Sequence, residues 1–258
     1  MLKYGIEVEG GYARNIGFYQ EKEKLQRTGR NVDISEGSDY SASLGHEFNT
    51  SYYEEEVEFR SRCPIVEIEQ HIQDWEDLME NIEFVSNPKN CGLHIHTSPN
   101  NTGWEDKKYQ TFVYNLFFLL VPFAKFFKHR QQQNYCLGNG SFYKLVRFFT
   151  EEFLAENTKE GMIDRYKDLS NIDDDTKRFS PRSMIRLTTG KDTVEVRLFP
   201  SKIEFIKPLI KIIDFAYEQE EFLNASDLIM KNIVEILNLV GAGESIDDFK
   251  DYYNDWIK

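Results

Sequence analysis

Cysteine is scarce in this sequence. Cys63, Cys91 and Cys136 lie far apart, are odd in number and include no CxxC pair. Neither a disulfide framework nor a cysteine-based zinc site is indicated, and a reducing cytoplasm is the compartment that fits. Positive charge is short too. With 31 Lys and Arg against 44 Asp and Glu, the formal net charge is −13. Such a chain lacks the basic surface that sequence-independent binding to nucleic acid requires. It can still hold a polyanion locally if metal ions and a few arginines neutralise it.

Long apolar runs are missing as well. The most apolar stretch, FVYNLFFLLVPFAKFF at 112–127, is interrupted by Asn115, Pro122 and Lys125. It falls short of the roughly 20 residues of a membrane span, so it reads as a buried helix with a kink expected at Pro122. The opening MLKYGIEVEGGY lacks the apolar segment of a signal peptide and carries charge early. No membrane partner is expected, and the location is the cytoplasm, of a host cell if the chain is phage-encoded. A GxxxxGK[ST] phosphate loop is also absent, and GNGSF at 138–142 is only a lone glycine turn. There is no internal repeat and no linker.

What is present suffices for a core, since 40% of residues are apolar and 14% aromatic. KYGIEVEGGY alternates with period two and ends in Gly-Gly, a strand running into a turn. Residues 14–30 show no clear pattern, and DISEGSDYSASLG at 33–45 reads as a loop. HEFNTS at 46–51 and EVEFRSR at 56–62 read as a hairpin. Ile68, Ile72, Trp75, Leu78, Met79 and Ile82 recur at helical spacing. CGLHIHTS is the next strand, followed by the apolar helix at 107–130. NYCLGNGSFYKLVRFFTEEFLAEN is a loop leading into an amphipathic stretch, and 171–178 is a charged loop. SMIRLTT and TVEVRLFP flank Gly190-Lys191-Asp192 as a second hairpin. From Ile203 the chain reads as helical, with breaks near 224–226 and 241–243 and with Ser226 and Ser245 as N-caps. The fold class is α+β, one domain over 1–258: a mainly antiparallel sheet with helices on one face through residue 202, then C-terminal helices over 203–258.

Four strands carry polar pairs two residues apart, which places each pair on one face. They are Glu7 and Glu9; Glu56, Glu58 and Arg60; His94 and His96; Glu195 and Arg197. One such strand could be an ordinary solvent face. Four in a shared sheet would crowd carboxylates that repel unless cations lie between them. Oxygen-rich donors with an imidazole suit Mg²⁺ or Mn²⁺ better than structural zinc, and arginines on the same face offer planar forks for phosphate oxygens. The face suits a nucleoside triphosphate held without a phosphate loop.

YGIEVE, an EF-x-S strand, CGLHIHTS and TVEVRLFP, in that order, resemble the motif series of the putative amidoligase family. That family belongs to the glutamine synthetase-like carboxylate–amine ligases and is common in bacterial and phage genomes. The resemblance covers about residues 4–215 in islands, of which CGLHIH and TVEVRLFP are the specific ones. It implies a glutamine synthetase-like catalytic fold in which glutamates and the first histidine hold divalent metals around the phosphates of ATP. Carried over by motif, Glu7, Glu9, Glu58, His94 and Glu195 are metal ligands. Glu9 is also placed with Arg197 and Arg182 at the nucleotide, Arg197 meets the transferred phosphoryl group, and Arg182 meets phosphate or a substrate carboxylate. Glu47 in GHEFNTS competes with Glu58 for the third acidic position. The Arg-Tyr-x-x-x-Asn stretch expected of the family is imperfect, which leaves Arg165 in DRYKDLS open.

The implied reaction is phosphorylation of a carboxylate by ATP and attack of an amine on the acyl phosphate, with small-molecule or peptide substrates. His96 either steers or deprotonates the amine or supports the metal ligands, while Tyr135 and Asn139 shape an acceptor pocket or simply a turn. Three other readings compete. A metal-dependent hydrolase would use the HxH pair, although His46, His71 and His129 are not at strand ends. A binding protein could keep the fold without the chemistry. A phosphotransferase would stop at the phosphorylated product.

Overall fold

The computed structural model describes residues 1–38, 52–63, 68–87, 91–99, 103–127, 146–171, 184–187 and 193–256. Six strands form one sheet, β1 Leu2–Ala13, β2 Ile34–Ser38, β3 Tyr53–Cys63, β4 Gly92–Pro99, β5 Ile185–Leu187 and β6 Val194–Pro200. Their order is β2-β3-β1-β4-β6-β5, and each neighbouring pair is antiparallel. The period-two pattern decides which side is covered. Leu2, Tyr4, Ile6 and Val8 of β1 are all buried, with Phe59, Leu93, Ile95, Val194 and Val196 beside them. Their neighbours in sequence turn the charged residues to the opposite face.

Helices seal the apolar face. In α2, Ile68–Asn81, Trp75 Nε1 donates to Ser61 Oγ at 3.0 Å, and Ser61 lies across from Ile6. The long helix α3, Asp106–Phe126, is buried along most of its length. Its Phe123 ring lies 5.3 Å from that of Phe199 on β6. After a π-helical turn at Phe148–Phe153, α4 covers Lys159–Asn171, and its Tyr166 hydroxyl donates to the Ile185 carbonyl. In α5, Ile206–Glu218, Asp214 accepts from the Tyr4 hydroxyl. The chain then forms α6 Ala225–Met230, α7 Ile233–Leu239 and α8 Ile246–Trp256. One hydrophobic cluster includes residues from Leu2 to Tyr252. The α+β class read from the sequence is therefore the architecture. Among the described residues, no helix is long and apolar enough to cross a membrane.

Several expectations are corrected. Part of the 33–45 segment is β2, not loop. Ile34 is fully buried and the rest of the strand pairs along the edge of β3, where polar side chains meet solvent and give no alternation to read. The segment 46–51 lies outside the described residues, so the observed partner of β3 on that side is β2. The unpatterned 14–30 region contains α1, Phe18–Arg27, a helix whose one buried residue is Phe18. The cap of α6 is Asn224, whose side chain accepts from the N–H groups of Ser226 and Asp227; Ser226 is inside the helix. Ser245, expected as an N-cap, ends a 3₁₀ turn and directly precedes α8, so its position agrees with that expectation. The break near 241 holds, with Gly241 at φ +73°, a conformation that suits glycine.

Candidate metal and active site

Register, rather than sequence order, assembles the site. Central β1 places Glu7 opposite Arg60 of β3 and opposite His94 of β4, and places Glu9 opposite Glu58. On the next strand, His96 faces Glu195 of β6, which in turn faces Arg186 of β5. An irregularity in the β4–β6 pairing, between Leu93 and Ile95, falls where β6 carries Arg197. Such a bulge re-aims side chains next to a site. Carboxylates, imidazoles and guanidiniums from five strands thus occupy one patch.

Within it, four atoms close a ring. Glu7 Oε2 lies 3.7 Å from His94 Nδ1 and 3.3 Å from His96 Nε2, and Glu195 Oε1 lies 3.9 and 4.0 Å from the same two nitrogens. The contact between His96 Nε2 and Glu7 lacks hydrogen-bond geometry, so this buried nitrogen has no hydrogen-bond partner. Among the described residues, two donor groups converge closely enough to hold a cation, Glu7 with His96 and Glu195, and Glu7 with Glu58 and His94. Both share Glu7. Burial alone would raise the Glu7 carboxyl, but the neighbouring His94 and His96 imidazoles outweigh it and hold the group well below the usual carboxylate range.

The surrounding contacts fix these donors. Glu9, 6% exposed, accepts the Gly92 N–H at 2.7 Å through Oε2, while its Oε1 lies 3.6 Å from His94 Nε2. Gly92 leaves room for that approach, because a Cβ there would lie 2.7 Å from His94 Nε2. Arg197 Nε forms an ion pair with Glu195 Oε1 at 3.1 Å, and Arg186 Nη1 lies 3.6 Å from Glu195 Oε2. Arg60 Nε donates to Glu58 Oε1 and lies 4.0 Å from Glu7 Oε1. Arg60 and Arg186 are about half exposed, which leaves guanidinium donors at the rim for an anion.

Of the residues singled out in the sequence, Glu7, Glu9, Glu58, His94, His96, Glu195 and Arg197 come together here. Glu9 is in neither converging trio, whereas His96 is in one. Arg165 sits on α4 and pairs with Glu156 at 3.1 Å, apart from these contacts. Glu47, Tyr135, Asn139 and Arg182 lie outside the described residues. Arg60 was read in the sequence as a polar-face residue without a role of its own, and Arg186 and Gly92 are site neighbours that the sequence reading did not select. The signal for the two arginines was their parity in EVEFRSR and SMIRLTT, which becomes a position only once the register is known.

A family model described as a putative amidoligase enzyme matches residues 19–212. The match starts after β1, so the strand that contributes Glu7 and Glu9 precedes it. A comparison with curated proteins found no match.

Proposed function

The chain belongs to the putative amidoligase enzyme family, and from that premise we propose that it joins a carboxylate to an amine with ATP as the energy source. The observation that supports this reading is the patch itself. Glu7, Glu9, Glu58 and Glu195 surround two imidazoles, and Arg60, Arg186 and Arg197 flank them. Carboxylates attract divalent cations, cations attract phosphate oxygens, and arginines at the rim take the remaining negative charge. We read the antiparallel sheet with its acid-bearing face as the glutamine synthetase-like arrangement.

The donor set fits a divalent cation, a reading supported by the His96 nitrogen that lies among carboxylates without a hydrogen-bond partner. Glu7, Glu58, His94 and Glu195 would hold Mg²⁺ or Mn²⁺, and the ion would supply charge neutralisation at phosphate oxygens. The chain's own groups then position the reactants. Arg197, held 3.1 Å from Glu195, meets the γ-phosphoryl group as it moves to a substrate carboxylate oxygen. That transfer breaks the bond to ADP and forms an acyl phosphate. An amine then attacks the carbonyl carbon, the C–O bond to phosphate breaks, and phosphate departs with the amine's proton. Arg182 joins this step as a phosphate or carboxylate ligand on the strength of its motif. The substrates are small molecules or peptides.

The paired imidazoles also give a metal-dependent hydrolase some support, since hydrolytic centres use histidines. ATP consumption separates the two readings. Purified protein should release ADP from ATP only with a divalent cation and a carboxylate–amine mixture. Glu7→Gln and Arg197→Ala should each abolish that release while leaving the circular dichroism spectrum unchanged. Full activity in both variants would remove the site assignment.

A further inference from the structure

A cavity between the start of α3 and the end of α5 has a chemistry of its own. We propose that it binds a free α-amino acid with an apolar side chain, the carboxylate at the first turn of α3 and the ammonium toward the end of α5. The inference goes beyond the ligase reading and does not rest on it.

Helical spacing builds one wall. Lys107, Lys108 and Thr111 are three and four residues apart, so they share a face of the first two turns of α3, and Trp104 directly precedes those turns. Tyr217 in α5 and Glu220 just beyond it line the other side. The cavity holds about 360 Å³, toward the small end of the range for ligand pockets. None of the residues that line it belongs to the patch of glutamates and histidines.

A buried hydroxyl points to a ligand. Thr111 lines the cavity and is 1% exposed, and its Oγ1 has no hydrogen-bond partner among the described residues. Such a group destabilises the free protein, and a bound carboxylate oxygen would accept its proton. Positive charge lies on the same turn. The N–H groups that open a helix have no partners within it and carry the positive end of its dipole, which suits an anion. Glu105, the N-cap of α3, makes no side-chain capping bond to them. Lys107 Nζ lies 4.1 Å from the centre of the Phe222 ring and has no carboxylate partner among the described residues, so its charge is open to a ligand.

Negative groups at the rim select among anions. Glu105 and the exposed Glu220 oppose a phosphate dianion, whereas a zwitterion suits both signs. Lys108 Nζ donates to the Gln219 carbonyl at 3.2 Å and to Glu220 at 3.3 Å. Each of those acceptors keeps further lone pairs for the ligand's ammonium. Trp104 and Tyr217, their rings 6.0 Å apart, supply an aromatic wall for an apolar side chain.

Isothermal titration of the full-length chain with L-leucine, in EDTA so that no metal takes part, tests the assignment. L-Leucine should bind. L-Leucinamide, which lacks the carboxylate, isocaproate, which lacks the ammonium, and inorganic phosphate should each bind at least about tenfold more weakly. Thr111→Val should weaken L-leucine binding about tenfold and Lys107→Gln should weaken it too, whereas Glu7→Gln should bind as the wild type does. Without ligand, Thr111→Val should melt no lower than the wild type, because it removes a hydroxyl that has no partner. Absence of L-leucine binding, equal binding of any of the three analogues, or wild-type affinity in a folded Thr111→Val overturns the proposal. Loss of binding in Glu7→Gln overturns it as well, by placing the amino acid on the acid-bearing face of the sheet.

Discussion

Gly92→Ala places one methyl group where the site has no space for it. The added carbon would lie 2.7 Å from His94 Nε2, 3.2 Å from His94 Cδ2 and 3.4 Å from Glu9 Oε2. Gly92 does not have a positive φ, so alanine meets no backbone strain there and the whole effect is steric. To restore contact near 3.5 Å, the imidazole must retreat by roughly 0.8 Å. His94, on β4 between β1 and β6, is 6% exposed, so its ring cannot simply swing into solvent. Overpacking of this kind costs about 1–3 kcal/mol of stability. The larger effect falls on the metal, because a displaced ligand loses alignment with Glu7 and Glu195, and disturbing a ligand's support typically costs 10–100-fold in affinity. Isothermal titration with Mn²⁺ measures the affinity, and urea unfolding measures the stability. Gly37→Ala is the control, since its added carbon meets only the Glu58 carbonyl oxygen at 3.8 Å, an ordinary contact. If Gly92→Ala binds Mn²⁺ like the wild type, His94 does not contribute to the centre in the way described.

Other elements offer independent checks. Arg30 forms ion pairs with Asp74, which is 3% exposed, and with Asp77, tying the segment before β2 to α2. Arg30→Ala should cost roughly 2–3 kcal/mol at neutral pH by leaving the Asp74 carboxylate buried without its cation, a loss read from urea midpoints. The same guanidinium holds the Asp77 carboxyl below its ordinary value. A lowered folded value means stability that is present above the usual carboxylate range and lost as pH falls through the folded value, so the gap between wild type and variant should narrow on acidification. A gap that widens toward acid would contradict the pairing. Asn232 accepts the Glu235 N–H at 3.1 Å and Glu235 returns the bond to the Asn232 N–H at 2.8 Å, so Asn232→Ala should lower stability by about 1 kcal/mol without changing Mn²⁺ affinity.

Strand parity made much of this legible before any coordinates. Half-buried strands must alternate, so Glu7, His94, His96, Glu195 and Arg197 could be assigned to polar faces from spacing alone, and α2 and α3 followed from apolar periodicity. Parity does not say which strands are neighbours. Only the order β3-β1-β4-β6 brings Glu7 between Arg60 and His94, and only the β5–β6 pairing brings Arg186 to Glu195. Strand β2 escaped notice because an edge strand of Ser, Glu and Gly lacks a second apolar face to alternate with. Helix α1 escaped for a similar reason, having Phe18 alone in the core. The standing of His96 was invisible in sequence because it depends on a nitrogen's distances to two other strands.

Oxygen tracing tests the ligase account most directly. The protein is incubated with ATP, Mn²⁺ and a mixture of L-amino acids whose carboxylates carry oxygen-18, and the released phosphate is analysed by mass spectrometry. Activation of the carboxylate as an acyl phosphate requires that one carboxylate oxygen leave with phosphate, so labelled phosphate should appear in step with ADP and an amide. Phosphate released without label, or amide cleavage that proceeds without ATP, would contradict the assignment of this sheet face to carboxylate–amine ligation.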